Sequence, residues 1–210
     1  GPKLFIGWMS NWQYAEKVPT EKWRSSTTIP RELVLVKDSG HYTVSSKPVK
    51  ELQNYIAKTI KKETLKIDKE TVLADKTLVD LSKLDIHFSL KNLKKDVYTF
   101  SLSNDAKNTI QFGINKKENY FFIDRSKSGK LAFSNLFAKN ISKAPFKGDF
   151  DKMDIRIIVD KTSIEIFYNN GKTVMTEIFF PDKPMEYFSV SKANTEYTIE
   201  NLIINQLNFN

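Results

Sequence analysis

Tryptophan is confined to one short segment of this 210-residue chain, at positions 8, 12 and 23. Asn11 lies between Trp8 and Trp12, and Gln13 follows, so two large rings are accompanied by two amide groups. Aromatic clusters of this kind usually face a ligand or a neighbouring domain. We therefore treat Trp8, Trp12 and Asn11 as candidate binding residues. The alternative is that Trp8 packs inside the fold and that Trp12 packs against the following loop.

The histidines and cysteines offer little material for other chemistry. His41 and His87 are the only histidines, and the chain has no cysteine. The absence of cysteine excludes a disulfide framework and thiolate metal sites. Two histidines leave very few residues from which a histidine metal site or a serine–histidine pair could be built. We expect both histidines to be ordinary strand residues, with His87 on the polar face of an alternating strand. The sequence predicts no cofactor and no metal site.

Asp124 and Arg125 form the most suggestive carboxylate–guanidinium pair. They could be a catalytic acid and its partner. However, they precede a Ser-Gly turn, where an arginine more often ties strand ends to a loop through its fork of donors. We expect a structural role for this pair.

Three glutamates are expected to have no catalytic role. Glu32 begins a strand and should pair with Arg24 or Arg31. Glu165 and Glu177 occupy alternating positions of strands and should face solvent.

The net charge of +8 does not indicate a nucleic-acid partner, because only four of the 33 basic residues are arginine. Specific recognition favours arginine forks together with aromatic rings. The lysines are instead scattered over polar positions and turns, as expected for a solvated coat that protects strand edges. No apolar run approaches the roughly 20 residues of a membrane span, so no membrane partner is predicted.

The spacing of apolar residues predicts an all-β fold with one short helix. Residues 4–9 have the composition of a buried strand, whereas residues 47–56 carry apolar side chains at helical spacing. From residue 57 onward the chain reads as short alternating strands, including a hairpin at Asn169-Asn170-Gly171. About ten to twelve such strands predict a two-layer antiparallel β-sandwich.

Three segments, in order, resemble glycoside hydrolase family 32, the levanases, inulinases and invertases. They are the tryptophan block of residues 7–33, the Asp-Arg strand and turn of residues 120–129, and the alternating segments of residues 154–167. The resemblance implies a remnant of the last blade of a catalytic β-propeller at residues 1–46 and a connector helix at 47–56. Residues 57–210 would be a C-terminal sandwich of the jelly-roll or concanavalin type.

The resemblance also implies a function. Family members hydrolyse fructans or sucrose with an Asp nucleophile and a Glu acid/base, in a retaining mechanism. The motifs that carry these carboxylates do not occur in this sequence, so no catalytic residue is assigned and the chain alone should be inactive. We expect a module that supports the catalytic propeller; the alternative is a fructan-binding, lectin-like module. In the intact parent, Trp12, Trp8 and Asn11 would line the sugar pocket, with an indole ring against the sugar face.

The expected partners and location follow from the same resemblance. The main partner would be the N-terminal propeller of the same polypeptide, with a fructan oligosaccharide as the second. Leu4, Phe5, Ile6 and Trp8 would expose apolar surface and promote self-association. Outward aromatics in residues 120–122 and 187–188 would form the interface to the propeller. The parent would be bacterial and exported to the periplasm, the cell surface or the medium. No signal peptide opens the sequence, and Gly1-Pro2 resembles the remnant of a cleaved tag.

Overall fold

The computed structural model describes residues 1–38 and 40–209, without the side chain of Asp38. These residues form fifteen strands and two 3-10 helices, Ala15–Lys17 and Lys50–Tyr55. The strands are β1 (Lys3–Phe5), β2 (Arg31–Asp38), β3 (His41–Pro48), β4 (Ile56–Ile67), β5 (Thr71–Asp75), β6 (Lys83–Lys91), β7 (Val97–Ser103), β8 (Thr109–Asn115), β9 (Tyr120–Lys127), β10 (Ser142–Pro145), β11 (Lys152–Asp160), β12 (Ser163–Tyr168), β13 (Thr173–Ile178), β14 (Tyr187–Val190) and β15 (Tyr197–Leu207).

The strands after residue 55 form two six-stranded antiparallel sheets that face each other across a common core. The first sandwich sheet has the order β13-β12-β11-β6-β15-β4, and the second has the order β10-β9-β8-β7-β14-β5. Twelve strands in two layers confirm the predicted antiparallel sandwich. Inward side chains alternate along each strand, as in β6, where Leu84, Ile86 and Leu90 are fully buried. Each such side chain contributes about 1.5–3 kcal/mol on burial.

A separate three-stranded sheet precedes the sandwich. This N-terminal sheet has the order β1-β2-β3, and most of it is the β2–β3 hairpin. An isolated bridge between Trp8 and Thr27 extends it beyond β1. The side chains of Leu4, Phe5 and Ile6 are exposed, although successive residues of a strand point to opposite faces of the sheet.

The helix between the N-terminal sheet and the sandwich is shorter than the sequence indicates. Lys47 and Pro48 still belong to β3, and the helical segment is a six-residue 3-10 helix, Lys50–Tyr55. Leu52 is its only buried residue, and no side chain caps its start. A single buried side chain cannot sustain a longer helix, because helices gain most of their stability from an apolar face packed on the protein. None of the described helices is long and apolar enough to cross a bilayer.

Part of the outer face of the first sandwich sheet is covered by the N-terminal residues. Leu52 packs with Ile158, Phe167 and Leu207, and Ile29 lies against the same cluster. Every residue of β12 is therefore buried, on both faces of the strand. The prediction that Glu165 faces solvent is wrong for this reason: alternation placed it on the outer face, and that face is not open.

Candidate functional site

Trp8 and Trp12 form an exposed aromatic pair on the N-terminal region. Their ring centroids lie 5.2 Å apart with the planes tilted by 56°. Trp12 is 89% exposed and Trp8 is 43% exposed, and the indole N–H of Trp8 donates to the hydroxyl of Ser25. Trp12 is therefore not packed against its loop, and the pair offers a continuous apolar surface to a ligand or to another protein segment.

Asn11 shapes the turn that presents this pair. Its side-chain oxygen accepts the backbone N–H of Gln13 at 2.9 Å, and its carbonyl oxygen accepts the N–H of Ala15 at 2.8 Å. The Asn11 oxygen is thus engaged locally, as is common for asparagine in turns. The side-chain amide nitrogen remains as the donor that could face a ligand.

The tryptophan segment is anchored because its other residues point inward. A small core forms from Met9, Tyr14 and Val18 of the N-terminal region together with Phe137, Ile178 and Phe180 of the sandwich region. The Tyr14 and Phe137 rings meet edge to face at 5.2 Å, a favoured aromatic geometry. The positions of Trp8 and Trp12 are therefore set by the sandwich as well as by the N-terminal sheet.

A buried ion pair joins the two regions. The guanidinium of Arg31 donates from Nε to Oε2 of Glu165 at 3.0 Å, and its Nη2 contacts the same oxygen. The backbone N–H of Ile29 donates to the other carboxylate oxygen at 2.9 Å. The two side chains are only 7% and 3% exposed. Burial raises the pKa of Glu165, and the bonds from Ile29 and Arg31 offset only part of this effect.

The prediction that Glu32 pairs with Arg24 or Arg31 is wrong. Arg31 binds Glu165 instead, and Arg24 donates to the carbonyl oxygen of Val18. Sequence reasoning could not find Glu165, because its partner lies more than a hundred residues away in the chain.

Arg125 has the structural role that its sequence context indicated. It donates to the carbonyl oxygen of Ile178 at 2.7 Å, pairs with Glu177 at 2.9 Å and lies 4.4 Å from the ring centroid of Phe137. Asp124 accepts the backbone N–H of Ser126 in a local turn. Glu177 is only 15% exposed, so its predicted place on a solvent face is wrong. Arg125 ties β9 to the end of β13 and supports the aromatic core below the tryptophan segment.

The Asn-Gly hairpin turn is a second point of contact between the regions. Asn169, Asn170 and Gly171 all have positive φ, as the predicted turn requires. The N–H of Ser46 donates to the carbonyl oxygen of Gly171 at 2.9 Å, and the Ser45 hydroxyl donates to that of Asn170 at 2.6 Å. An added Cβ on Gly171 would lie 2.0 Å from the Ser46 carbonyl oxygen, so only glycine fits.

His87 lies on the polar face of β6, as predicted, and belongs to a charged cluster. Its Nε2 is 3.2 Å from Asp85, which also accepts two bonds of 2.9 Å from Arg156. Burial pushes the pKa of Asp85 up, but the bonds from His87 and Arg156 outweigh it and hold that pKa below its usual value. Among residues 1–38 and 40–209, no three acidic or histidine side chains converge as a metal site would require.

The outward aromatics of the second sandwich sheet do not contact the N-terminal residues described here. Tyr120 and Phe122 are half-buried on its outer face, where Lys143 lies 4.1 Å from the Tyr120 ring centroid. The hydroxyl of Tyr187 donates to Asp105 at 3.1 Å. The N-terminal region packs on the opposite sheet, and the expected interface between these rings and the propeller stays a prediction.

Two family models match the chain in succession. The model for the glycosyl hydrolases family 32 N-terminal domain matches residues 1–48, and the model for the family 32 C terminal matches residues 51–206. A levanase from Bacillus subtilis is 34% identical over 207 residues, which are 98% of this chain and 30% of the levanase. An extracellular exo-inulinase from Aspergillus awamori is 32% identical over 182 residues, covering 85% of this chain and 34% of that enzyme.

Solved structures show the same fold. The exo-inulinase from Aspergillus awamori superposes with a TM-score of 0.81 at 23% identity, over 99% of this chain and 40% of that one. A β-fructofuranosidase from Schwanniomyces occidentalis superposes with a TM-score of 0.80 at 26% identity, over 98% of this chain and 45% of that one. The chain thus spans about a third of the length of the curated relatives that it matches.

Proposed function

Because this chain belongs to glycoside hydrolase family 32, we propose that it is the C-terminal part of a β-fructosidase that hydrolyses fructans or sucrose. Residues 1–46 would be strands of the last propeller blade, residues 47–56 the connector, and residues 57–210 the sandwich. Relatives named levanase, exo-inulinase and invertase support this substrate class.

The proposed role is to hold the last blade in place. The observation that carries it is the buried pair of Arg31 and Glu165, which fixes β2 to β12. The apolar core around Tyr14 and the backbone bond from Ser46 add two further points of attachment. A blade fixed at three points gives the propeller a rigid end, and a rigid end keeps pocket residues in register.

Trp12, Trp8 and Asn11 are proposed to line the sugar pocket once the rest of the propeller is present. The exposure of both indole rings supports this role. An aromatic ring stacks on the C–H face of a sugar, and the amide of Asn11 can donate to a hydroxyl. The catalytic carboxylates would come from the propeller, so we assign none to this chain.

The proposed partner is the N-terminal propeller of the same polypeptide, in an exported protein. The exposed Phe5 of β1 lies on the same face of the N-terminal sheet as Leu35 and Val44. This face supplies the apolar surface that a neighbouring blade would cover, and Leu4 is exposed on the opposite face. Without that blade, the same surface would drive self-association of the chain.

The test is an activity assay in two steps. The purified chain is incubated with levan, inulin and sucrose, and no fructose release is expected; release above the buffer level would contradict the supporting role. In the full-length parent, Trp12→Ala should lower kcat/KM by about tenfold or more, as expected for loss of a ring worth at least about 1.4 kcal/mol in the transition state. Tyr55→Ala, which truncates an exposed aromatic outside the N-terminal sheet, is the matched control and should leave kcat/KM unchanged.

A further inference from the structure

A cleft of about 320 Å³ opens on the outer face of the first sandwich sheet, next to the part covered by the N-terminal region. Lys47 and Pro48 at the end of β3 line one side, and Asn170 and Gly171 of the hairpin turn line another. This volume lies at the lower end of the range for small-molecule sites, about 300–1,000 Å³. Trp8 and Trp12 do not line the cleft, so it is separate from the proposed sugar pocket.

Strand register explains the polar floor of the cleft. His87 of β6 lies opposite Arg156 on one side and opposite Ile203 on the other, so these three form one row across the sheet. The next row pairs Ser89 with Asp154. The register shifts between Glu200 and Ile203, and within this bulge Asn201 has a φ of +52°. Bulges re-aim side chains next to functional sites, and this one adds an amide to the cleft.

The cleft presents unused donors and acceptors. Arg156 binds Asp85 through Nε and Nη2, which leaves Nη1. Asp154 accepts the Ser89 hydroxyl on Oδ1, which also lies 3.8 Å from Nζ of Lys152, and this leaves Oδ2. No hydrogen bond among the described residues involves the side-chain groups of Asn170 or Asn201.

Two of the charged groups that line the cleft are already paired within the protein. Arg156 is neutralised by Asp85, and Asp154 lies 3.8 Å from Lys152, whereas Lys47 is exposed at the edge of the opening. An anion would meet the Asp154 carboxylate, and a cation would meet Lys47 and Arg156. An uncharged ligand with many hydroxyl groups can use donors and acceptors alike, while Pro48 and Ile203 contact its C–H groups. This combination of a few polar groups on an apolar lining is typical of binding sites.

We propose that this cleft is a second carbohydrate site that binds an uncharged fructan-type oligosaccharide. The fructan assignment rests on the proposed function, whereas the preference for an uncharged, hydroxyl-rich ligand rests on the cleft alone. In the intact protein the site would hold a stretch of chain away from the propeller, on a surface shared by the N-terminal sheet and the sandwich.

The test is a titration of the ¹⁵N-labelled chain with an inulin-type pentasaccharide, followed by amide chemical shifts. Shifts are expected at His87, Ser89, Asn170 and Asn201, saturating with a Kd of about 1 mM, whereas the three indole N–H signals stay in place. A maltopentaose of the same length and inorganic phosphate are titrated in parallel, and neither should saturate these resonances.

Two variants and a matched control localise the binding. Asp154→Ala should weaken it about tenfold or more, because a charged acceptor is lost. Lys47→Gln, at an exposed residue, should weaken it while leaving the rest of the spectrum unchanged. Asp124→Ala removes a half-buried carboxylate from the outer face of the opposite sheet and should leave the Kd unchanged.

Each contrary result overturns a stated part of the inference. Absence of shifts with the pentasaccharide, or shifts confined to other surfaces, would overturn the site. Tighter binding of phosphate would overturn the uncharged ligand, and equal binding of maltopentaose would overturn the fructan preference. None of these results bears on whether the full-length parent cleaves fructans, so the proposed function is judged separately.

Discussion

The sandwich and the N-terminal sheet differ in what stabilises them. Strands of the sandwich bury one face in a common core, as with Phe112, which packs against both Phe100 and Phe188. All three residues of β1, by contrast, are exposed, as are the first four of β3. The N-terminal sheet is too small to enclose a core of its own, so it depends on contacts with its neighbours. Stability and docking are therefore separable properties of this chain.

The largest effect is expected from the sandwich core. Phe112→Ala should reduce the free energy of unfolding by about 3–5 kcal/mol, because it removes a fully buried ring and leaves a cavity. Urea unfolding followed by far-ultraviolet circular dichroism measures this loss. Val44→Ala, which truncates an exposed side chain of the N-terminal sheet, is the control; an equal loss there would mean that the two regions share one core.

The next largest effect is expected from breaking the buried ion pair between Arg31 and Glu165, and it should differ between the N-terminal region and the sandwich. Glu165→Ala leaves Arg31 buried without its partner, which costs about 3 kcal/mol or more. We expect the N-terminal region to detach while the sandwich stays folded. Trp8 and Trp23 of that region are more than half buried, so the tryptophan fluorescence should shift to the red while the circular dichroism changes little.

The control for Glu165→Ala is the exposed ion pair of Lys66 and Glu196. Glu196→Ala should leave the fluorescence unchanged, because exposed ion pairs contribute little. If Glu165→Ala instead unfolded the sandwich, the regions would not be separable.

The hairpin turn should show a smaller effect of the same kind. Gly171→Ala places a Cβ against the Ser46 carbonyl oxygen at a φ of +77°, which costs about 1–3 kcal/mol. Gly40→Ala in the N-terminal hairpin has a similar φ of +86° but open space around the Cβ, so it isolates the backbone strain. In urea unfolding, the extra loss of unfolding free energy in Gly171→Ala relative to Gly40→Ala measures the contact between Gly171 and Ser46. Equal losses would contradict the role of this contact in holding the N-terminal sheet on the sandwich.

Two of the buried carboxylates, Glu165 and Asp85, should respond to pH in opposite directions. The pKa of Glu165 is raised on folding, so its contribution is greatest below its ordinary value of 4.5 and is lost as the pH rises through the folded-state pKa. The pKa of Asp85 is lowered, so its contribution is present above 3.8 and is lost as the pH falls. Between about pH 7 and about pH 3, Asp85→Asn should remove part of the acid destabilisation, whereas Glu165→Gln should not. Urea unfolding across this range measures the effect. The same pH dependence in both variants would contradict the opposite pKa shifts of Glu165 and Asp85.

The smallest effect on stability is expected at the exposed face of the N-terminal sheet. Leu35→Ser should change the free energy of unfolding by no more than about 0.5 kcal/mol, as is usual for surface positions. It should nevertheless reduce self-association, because Leu35 and Val44 lie opposite each other in one apolar patch. Sedimentation velocity over a range of concentrations measures this; association unchanged in the variant would place the contact elsewhere.

Much of the fold could be predicted because local patterns specify it. Period-two alternation identified the strands of the sandwich, and Asn169-Asn170-Gly171 specified its turn through residues that tolerate positive φ. The tryptophan block was likewise recognisable as a binding candidate from residue types alone. The helix was less predictable: its apolar spacing was real, but β3 extends through Pro48 and leaves room for only one short 3-10 helix.

The sequence by itself determined which face of each strand a residue occupies, and only the tertiary structure decided what covers that face. Alternation correctly placed Glu165 outward on β12, yet Arg31 and Leu52 bury that face from more than a hundred residues away. The same holds for the cleft, where His87 and Arg156 are polar by pattern but become neighbours of Lys47 only through docking. Side-chain direction follows from backbone geometry within a few residues, whereas burial depends on contacts between segments that the local pattern does not encode.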